Sequence, residues 1–182
     1  MRKLVEATLV SLDGVVGSPE EWALPFWDQD NKNDAQAQLA DVDAFLLGRV
    51  TYEKFVAAWS PITGDPYLDT INHLPKFVAS GSLQEVTWNS TLITGDVAAE
   101  VGRLKDQPGK TIMKYGTGQL DRTLIEHGLI DEFHLSVFPL TVGSGLRLFE
   151  GIDTTGMTLK LTGTTVNSNG VVQLTYLPEY SR

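Results

Sequence analysis

What most constrains this chain is the order of its apolar segments. Up to about residue 130, short apolar runs alternate with helix-forming stretches; after Ile130 the helical stretches nearly stop. "LVEATLVSLD" opens as an alternating strand. "AFLLG" is short and continuously apolar, the pattern of a strand buried on both faces of a parallel sheet. "TYEKFVAAW" follows it with Tyr52, Phe55, Val56 and Trp59 at helical spacing. "KFVAS" and "KTIMKYG" read as two more strands. The second lies between the helices "DVAAEVGRL" and "GQLDRTLIEHG", the latter ended by Gly128 in the usual C-cap position. A polar helix, "KNDAQAQLADV", is expected to end near Val42, and residues 14–28 before it read as a long loop. In the last third, "DEFHLSVFPLTV", "MTLKLTGTTV" and "VVQLTYLP" read as strands, the final two joined by the hairpin signal "NSNG". This order predicts an α/β fold: a central, mostly parallel mixed sheet with helices on its faces and antiparallel C-terminal strands. With 182 residues and no repeat or linker, residues 1–182 read as a single domain.

One stretch resists a packing explanation. In "LLGRVTYEKF", packing accounts for Leu46, Leu47, Tyr52 and Phe55 but not for Arg49 and Thr51. A phosphate would account for both. Ligands of open α/β sheets sit beyond the carboxyl ends of parallel strands, and three such ends carry phosphate chemistry here. After "AFLL", Gly48 allows close backbone approach, Arg49 offers a forked donor, and Thr51 adds a hydroxyl near a helix N-terminus. After "KFV" come the small donors Ser80, Gly81 and Ser82. After "TIMK", Gly116, Thr117 and Gly118 form a glycine-rich turn opening a helix, which suits a pyrophosphate. Each motif is weak alone; their repetition suggests a dinucleotide lying across the sheet edge. Two rival motifs fail. "PGKT" at Pro108 to Thr111 precedes a strand instead of following one, and "GTGQLD" has Asp121 where a dinucleotide fingerprint needs a third Gly or Ala.

Composition narrows the remaining classes. A net charge of -9 with no basic cluster disfavours nucleic-acid or anionic-membrane binding. Without cysteine there are no disulfides, thiolate chemistry or Cys-held metals. His73, His127 and His134 lack metal-ligand spacing, so no metal is expected. "MRKLVEATLVSLDG" has no long apolar leader region, which makes the cytoplasm the expected compartment.

The motif order "SLDGVV", "LLGRVTYE", "KFVAS", "MKYGTGQL" and "GLIDEFHLSVFPLTVGSGLRLF" resembles the dihydrofolate reductase-like superfamily. Within it, the chain is similar to bacterial proteins of the RibD C-terminal (reductase) domain type from riboflavin biosynthesis. The resemblance implies a three-layer α/β/α fold, NADPH as cofactor, and hydride transfer to a pterin- or aminopyrimidine-like heterocycle, related to reduction of 5-amino-6-(5-phosphoribosylamino)uracil. It implies that Gly48, Arg49 and Thr51 contact cofactor phosphates, Ser80 the adenosine end, and Gly116, Thr117 and Gly118 the pyrophosphate. Asp13 and Gly14 would lie beside nicotinamide and substrate. The chain departs from the pattern in two ways. Thr117 stands in the glycine turn where the family more often has Gly, and the substrate clamps are absent: no Arg lies between Trp59 and Pro75 to hold a folate tail, and the basic ribose-phosphate signature of the riboflavin enzyme is missing.

Asp13, at a strand's carboxyl end beside Gly14, is the expected catalytic carboxylate; the alternative is a solvated Asp-Gly turn. Trp22, Phe26 and Trp27 are expected to form a lid over a flat substrate, or else a plug at the core's edge. Gly143, Ser144 and Gly145 read as a turn. The competing functional class is a cofactor-binding module without turnover. A homodimer, with the C-terminal strands as a candidate surface, is expected from the habits of soluble enzymes.

Overall fold

In the computed structural model, which describes residues 1–181, β1 (Leu4–Ser11) lies at the middle of an eight-stranded sheet. The other strands are β2 (Val42–Gly48), β3 (Lys76–Ala79), β4 (Ser90–Ile93), β5 (Thr111–Tyr115), β6 (Glu132–Phe138), β7 (Met157–Val166) and β8 (Val172–Tyr180). Their spatial order is β4-β3-β2-β5-β1-β6-β8-β7. Every pairing from β4 to β6 is parallel; β8 runs antiparallel to both β6 and β7. The expected mixed α/β architecture is borne out.

Alternation along the strands divides the core between two faces. Leu4, Leu46 and Ile112 pack with α5 (Val97–Asp106) and α6 (Gln119–Glu126). Val5, Phe45 and Met113 pack with α2 (Gln29–Leu39), α3 (Arg49–Ala58) and α4 (Pro66–His73). Side chains two apart share a face, so the short apolar runs serve both layers at once. Gly128 has φ +61 just past α6, the left-handed geometry expected of a C-cap glycine.

Three details differ from the sequence reading. The polar helix α2 starts at Gln29, capped by Asp28, and ends at Leu39; Val42 already belongs to β2. The loop after β1 contains a helical turn, α1 (Pro19–Trp22), and a 3-10 turn at Leu24–Phe26. Helix α4 and edge strand β4 were not foreseen. In α4, the Asp65 carboxylate accepts from the amides of Tyr67 and Leu68 at 3.0 Å, with Pro66 opening the first turn. Its other end rests on Lys76, a buried residue whose ammonium donates to the carbonyls of Ile71 (2.6 Å) and Leu74 (2.7 Å). A cation at a helix C-terminus offsets the loss of hydration that pushes the Lys76 pKa down to about 8. No helix among the described residues is long and apolar enough to cross a membrane.

This topology aligns the strand ends that matter. Gly48 pairs in register with Ala79, and Leu46 with Lys114, so the turns after β2, β3 and β5 open on one edge.

Candidate active site

The three turns do converge. Gly48, Arg49, Thr51, Ser80, Gly116, Thr117 and Gly118 all line one groove of about 760 Å³. Helices α3 and α6 start at its wall, which sets two helix N-termini beside it; in α6 the Gly118 and Asp121 amides are already bonded within the cap. Arg49 is the one cation among the described residues lining it, and its guanidinium rests on Glu53 at 3.0 Å, one helical turn on.

A second, inner cavity of about 380 Å³ adjoins the groove. Both spaces are lined by Val50, Thr51, Gly116, Thr117 and Leu146, which form their common wall. The inner cavity's floor comes from β1 (Ala7, Thr8, Leu9), Tyr115, Ser136 and Gln173; α2 and α3 cover it. Its far wall is aromatic. Phe55 on α3 and Trp59 just past its end stack at 3.6 Å, and the hydroxyls of Tyr67 and Tyr115 lie 3.1 Å apart. Burial raises both phenol pKa values, that of Tyr67 to about 12, so the pair stays protonated. On α2, Asp34 Oδ2 accepts from the side-chain amides of Asn167 (2.7 Å) and Gln173 (3.4 Å), while Oδ1 has no hydrogen-bond partner among the described residues.

Beneath the common wall lies a buried ionic cluster. The Lys114 ammonium is 2.7 Å from Glu6 Oε2 and 2.7 Å from Asp121 Oδ1, and donates to the Gly116 carbonyl at 2.5 Å. Asp121 Oδ2 accepts the Gly118 amide at 2.6 Å. The residue that ruled out a dinucleotide fingerprint therefore anchors the glycine turn from inside. Thr8 donates to Glu6 Oε1 at 2.8 Å, and its hydroxyl is 3.2 Å from that of Thr117. Burial, then repulsion from Asp121, raises the Glu6 pKa to about 8. Burial opposes the Lys114 charge, but Glu6 and Asp121 together hold its pKa above the ordinary value.

The carboxylate expected to be catalytic is elsewhere. Asp13 lines neither space; it accepts from Ser11 Oγ (2.6 Å) and the amides of Val142 (3.0 Å) and Gly143 (2.8 Å). These bonds, the Ser11 one foremost, lower its pKa to about 2 and tie the first strand's end to the 141–145 turn. Gly14 is likewise outside both spaces; its amide donates to the Ser11 carbonyl and its carbonyl accepts from Leu148. Of the loop aromatics, only Trp27 lines the inner cavity. Trp22 and Phe26 pack edge-on against buried Phe138 at 5.5 and 5.9 Å, so they form the plug and not the lid. Their place at the site is taken by residues the sequence did not single out: Asp34, Gln173, Tyr115 and Leu146.

Comparison with known proteins sets this arrangement in a lineage. The sequence matches the profile of the RibD C-terminal domain over residues 2–173. The chain belongs to the RibD C-terminal domain family. A curated relative, the uncharacterized protein YyaP of Bacillus subtilis (strain 168), is 30% identical, with 96% of this chain and 94% of the relative covered. Among solved structures, a putative riboflavin biosynthesis protein from Shewanella sp. PV-4 superposes with a TM-score of 0.78 at 20% identity, covering 97% of this chain and 99% of that one. Dihydrofolate reductase from Enterococcus faecalis, solved with NADP(H), gives 0.65 at 16% identity, covering 97% and 96%. This RibD C-terminal domain protein thus has a dihydrofolate reductase-like fold.

Proposed function

We propose that this protein is an NADPH-dependent reductase that acts on a small heterocycle of the pterin or aminopyrimidine type. The observation that carries this reading is the common wall. A groove with phosphate-binding donors opens, through Thr51, Gly116 and Thr117, onto a separate aromatic-lined cavity. Such a division suits a reaction in which an elongated phosphorylated carrier and a small flat acceptor meet end to end. The groove's donor set fits NADPH: one guanidinium, the hydroxyls of Thr51 and Ser80, two helix N-termini, and a glycine turn where a side chain at residue 116 would collide with Thr51. NADPH, when bound, supplies the hydride. The chain's own residues do the rest. Arg49 neutralises phosphate charge, Gly116 to Gly118 shape the turn, and the aromatic wall excludes water and orients the acceptor ring. Asp34 Oδ1 can hold or pass a proton at an acceptor nitrogen.

The experiment is a titration of the purified protein with NADPH, followed by a screen of pterins and aminouracils for loss of NADPH absorbance. Saturable binding with turnover supports the reading; absence of NADPH binding contradicts it. A cofactor-binding module without turnover is the second reading, favoured by the engagement of Asp13 in a turn. It predicts NADPH binding with no oxidation by any compound in that screen. The homodimer belongs to the same proposal. Strand β7 is an open sheet edge, with Leu161 and Val166 at least half exposed. A dimeric mass by sedimentation supports it, and a monomeric mass overturns it.

A further inference from the structure

The charges around the inner cavity say which acceptors it admits. Among the described residues, three charged side chains line it: Glu20, Asp34 and Lys54. Lys54 is the one cation among the described residues there, and its ammonium is 2.7 Å from Glu20 Oε1. That bond lowers the Glu20 pKa. With Lys54 engaged, the Asp34 carboxylate is left uncompensated, and the cavity presents net negative charge. The groove differs in its lining: Arg49 and several hydroxyls face it, and its one lining carboxylate among the described residues, Asp121, is paired with Lys114.

What remains in the cavity favours a flat ring with N–H donors. Phe55, Trp59 and Trp27 offer apolar faces, and Tyr67 and Tyr115 already bond to each other. Asp34 Oδ1 has no hydrogen-bond partner among the described residues and can accept. A phosphorylated acceptor would set its charge against Asp34 and Glu20 with no unengaged cation to receive it, an arrangement that disfavours binding.

We propose that the inner cavity selects an amino-substituted heteroaromatic acceptor bearing neither phosphate nor carboxylate, and discriminates against sugar-phosphate conjugates of the same ring. The proposal rests on the reductase reading for the role of the cavity, and on its lining alone for the selectivity. By chemistry, the reaction that supplies such an acceptor removes a phosphate, or never adds one.

The test uses the full chain and the fluorescence of Trp27 and Trp59, which line the cavity. Ribitylaminouracil and its phosphate ester are titrated, first alone and then at saturating NADPH. The expected result is binding of the unphosphorylated compound roughly tenfold or more tighter than the ester. Glu20→Gln, which releases Lys54, should tighten the ester several-fold and narrow the gap. Equal or tighter binding of the ester by the unaltered protein, or no binding of either compound, overturns the proposal. NADPH binding is read in a separate titration of the free protein with NADPH, and its absence counts against the reductase reading alone.

Discussion

Thr51 sits so close to Gly116 that a Cβ at residue 116 would collide with the Thr51 hydroxyl. The two residues come from different strand-to-helix connections, and both line the boundary shared by groove and cavity. Gly116 also has φ +79, a backbone region that side chains disfavour.

Gly116→Ala should therefore abolish measurable NADPH binding and lower stability by about 1–3 kcal/mol. Gly64 provides the control, with φ +84 but open space around it. Gly64→Ala should cost about 1 kcal/mol of stability and leave cofactor affinity unchanged. Calorimetric titration and denaturant unfolding of both variants check this.

Arg49 supplies the groove's positive charge and shares it with Glu53. Arg49→Ala should weaken NADPH much more than NADH, by about 1.5–3 kcal/mol for a lost charged hydrogen bond. Glu53→Gln should tighten NADPH modestly. Equal loss of both cofactors in the Arg49 variant would remove the phosphate assignment.

The buried cluster predicts a pH dependence. The folded state raises the Glu6 pKa from 4.5 to about 8, so Glu6 binds its proton more tightly when folded. Its contribution to stability is fully present below about pH 4.5 and is lost as pH rises through about 8. Glu6→Gln should flatten the fall in Tm across that window, measured at matched ionic strength. An unchanged slope would mean that Glu6 is already ionised in the folded protein.

In this proposal the catalytic role expected of Asp13 passes to Asp34, and Asp13 holds a turn. Asp13→Asn should lower Tm through the 141–145 turn while leaving turnover intact. Asp34→Asn should leave NADPH affinity unchanged and reduce kcat/KM by roughly a hundredfold or more for an acceptor that needs a proton. Steady-state kinetics on the two variants separates these outcomes.

Legibility from sequence followed the range of the interactions. Gly48–Arg49–Thr51 and Gly116–Thr117–Gly118 announce themselves because a turn's chemistry is carried by adjacent residues, and strand alternation places both on one edge. The engagement of Asp13 in a turn is not legible locally, because the amides it accepts from, Val142 and Gly143, lie 129 and 130 residues away. Asp34 was overlooked for a related reason. It sits on a helix with little apolar periodicity, and only Asn167 and Gln173, from the C-terminal hairpin, define its orientation. Helix α4 carried a readable start in Asp65-Pro66, but the Gly and Pro around it disguised so short a segment as loop. Edge strand β4 has only four residues and one fully buried side chain, Ile93, too little for a period to show.

The central claim is that the groove beside Arg49 is the cofactor site and ends at the Thr51–Gly116 wall. A crystal structure of the protein with NADPH measures this directly. The account predicts ordered density along the groove, with phosphate at Arg49 and at the turn from Gly116 to Gly118. An empty groove at saturating NADPH, or a cofactor bound elsewhere on the chain, would contradict it.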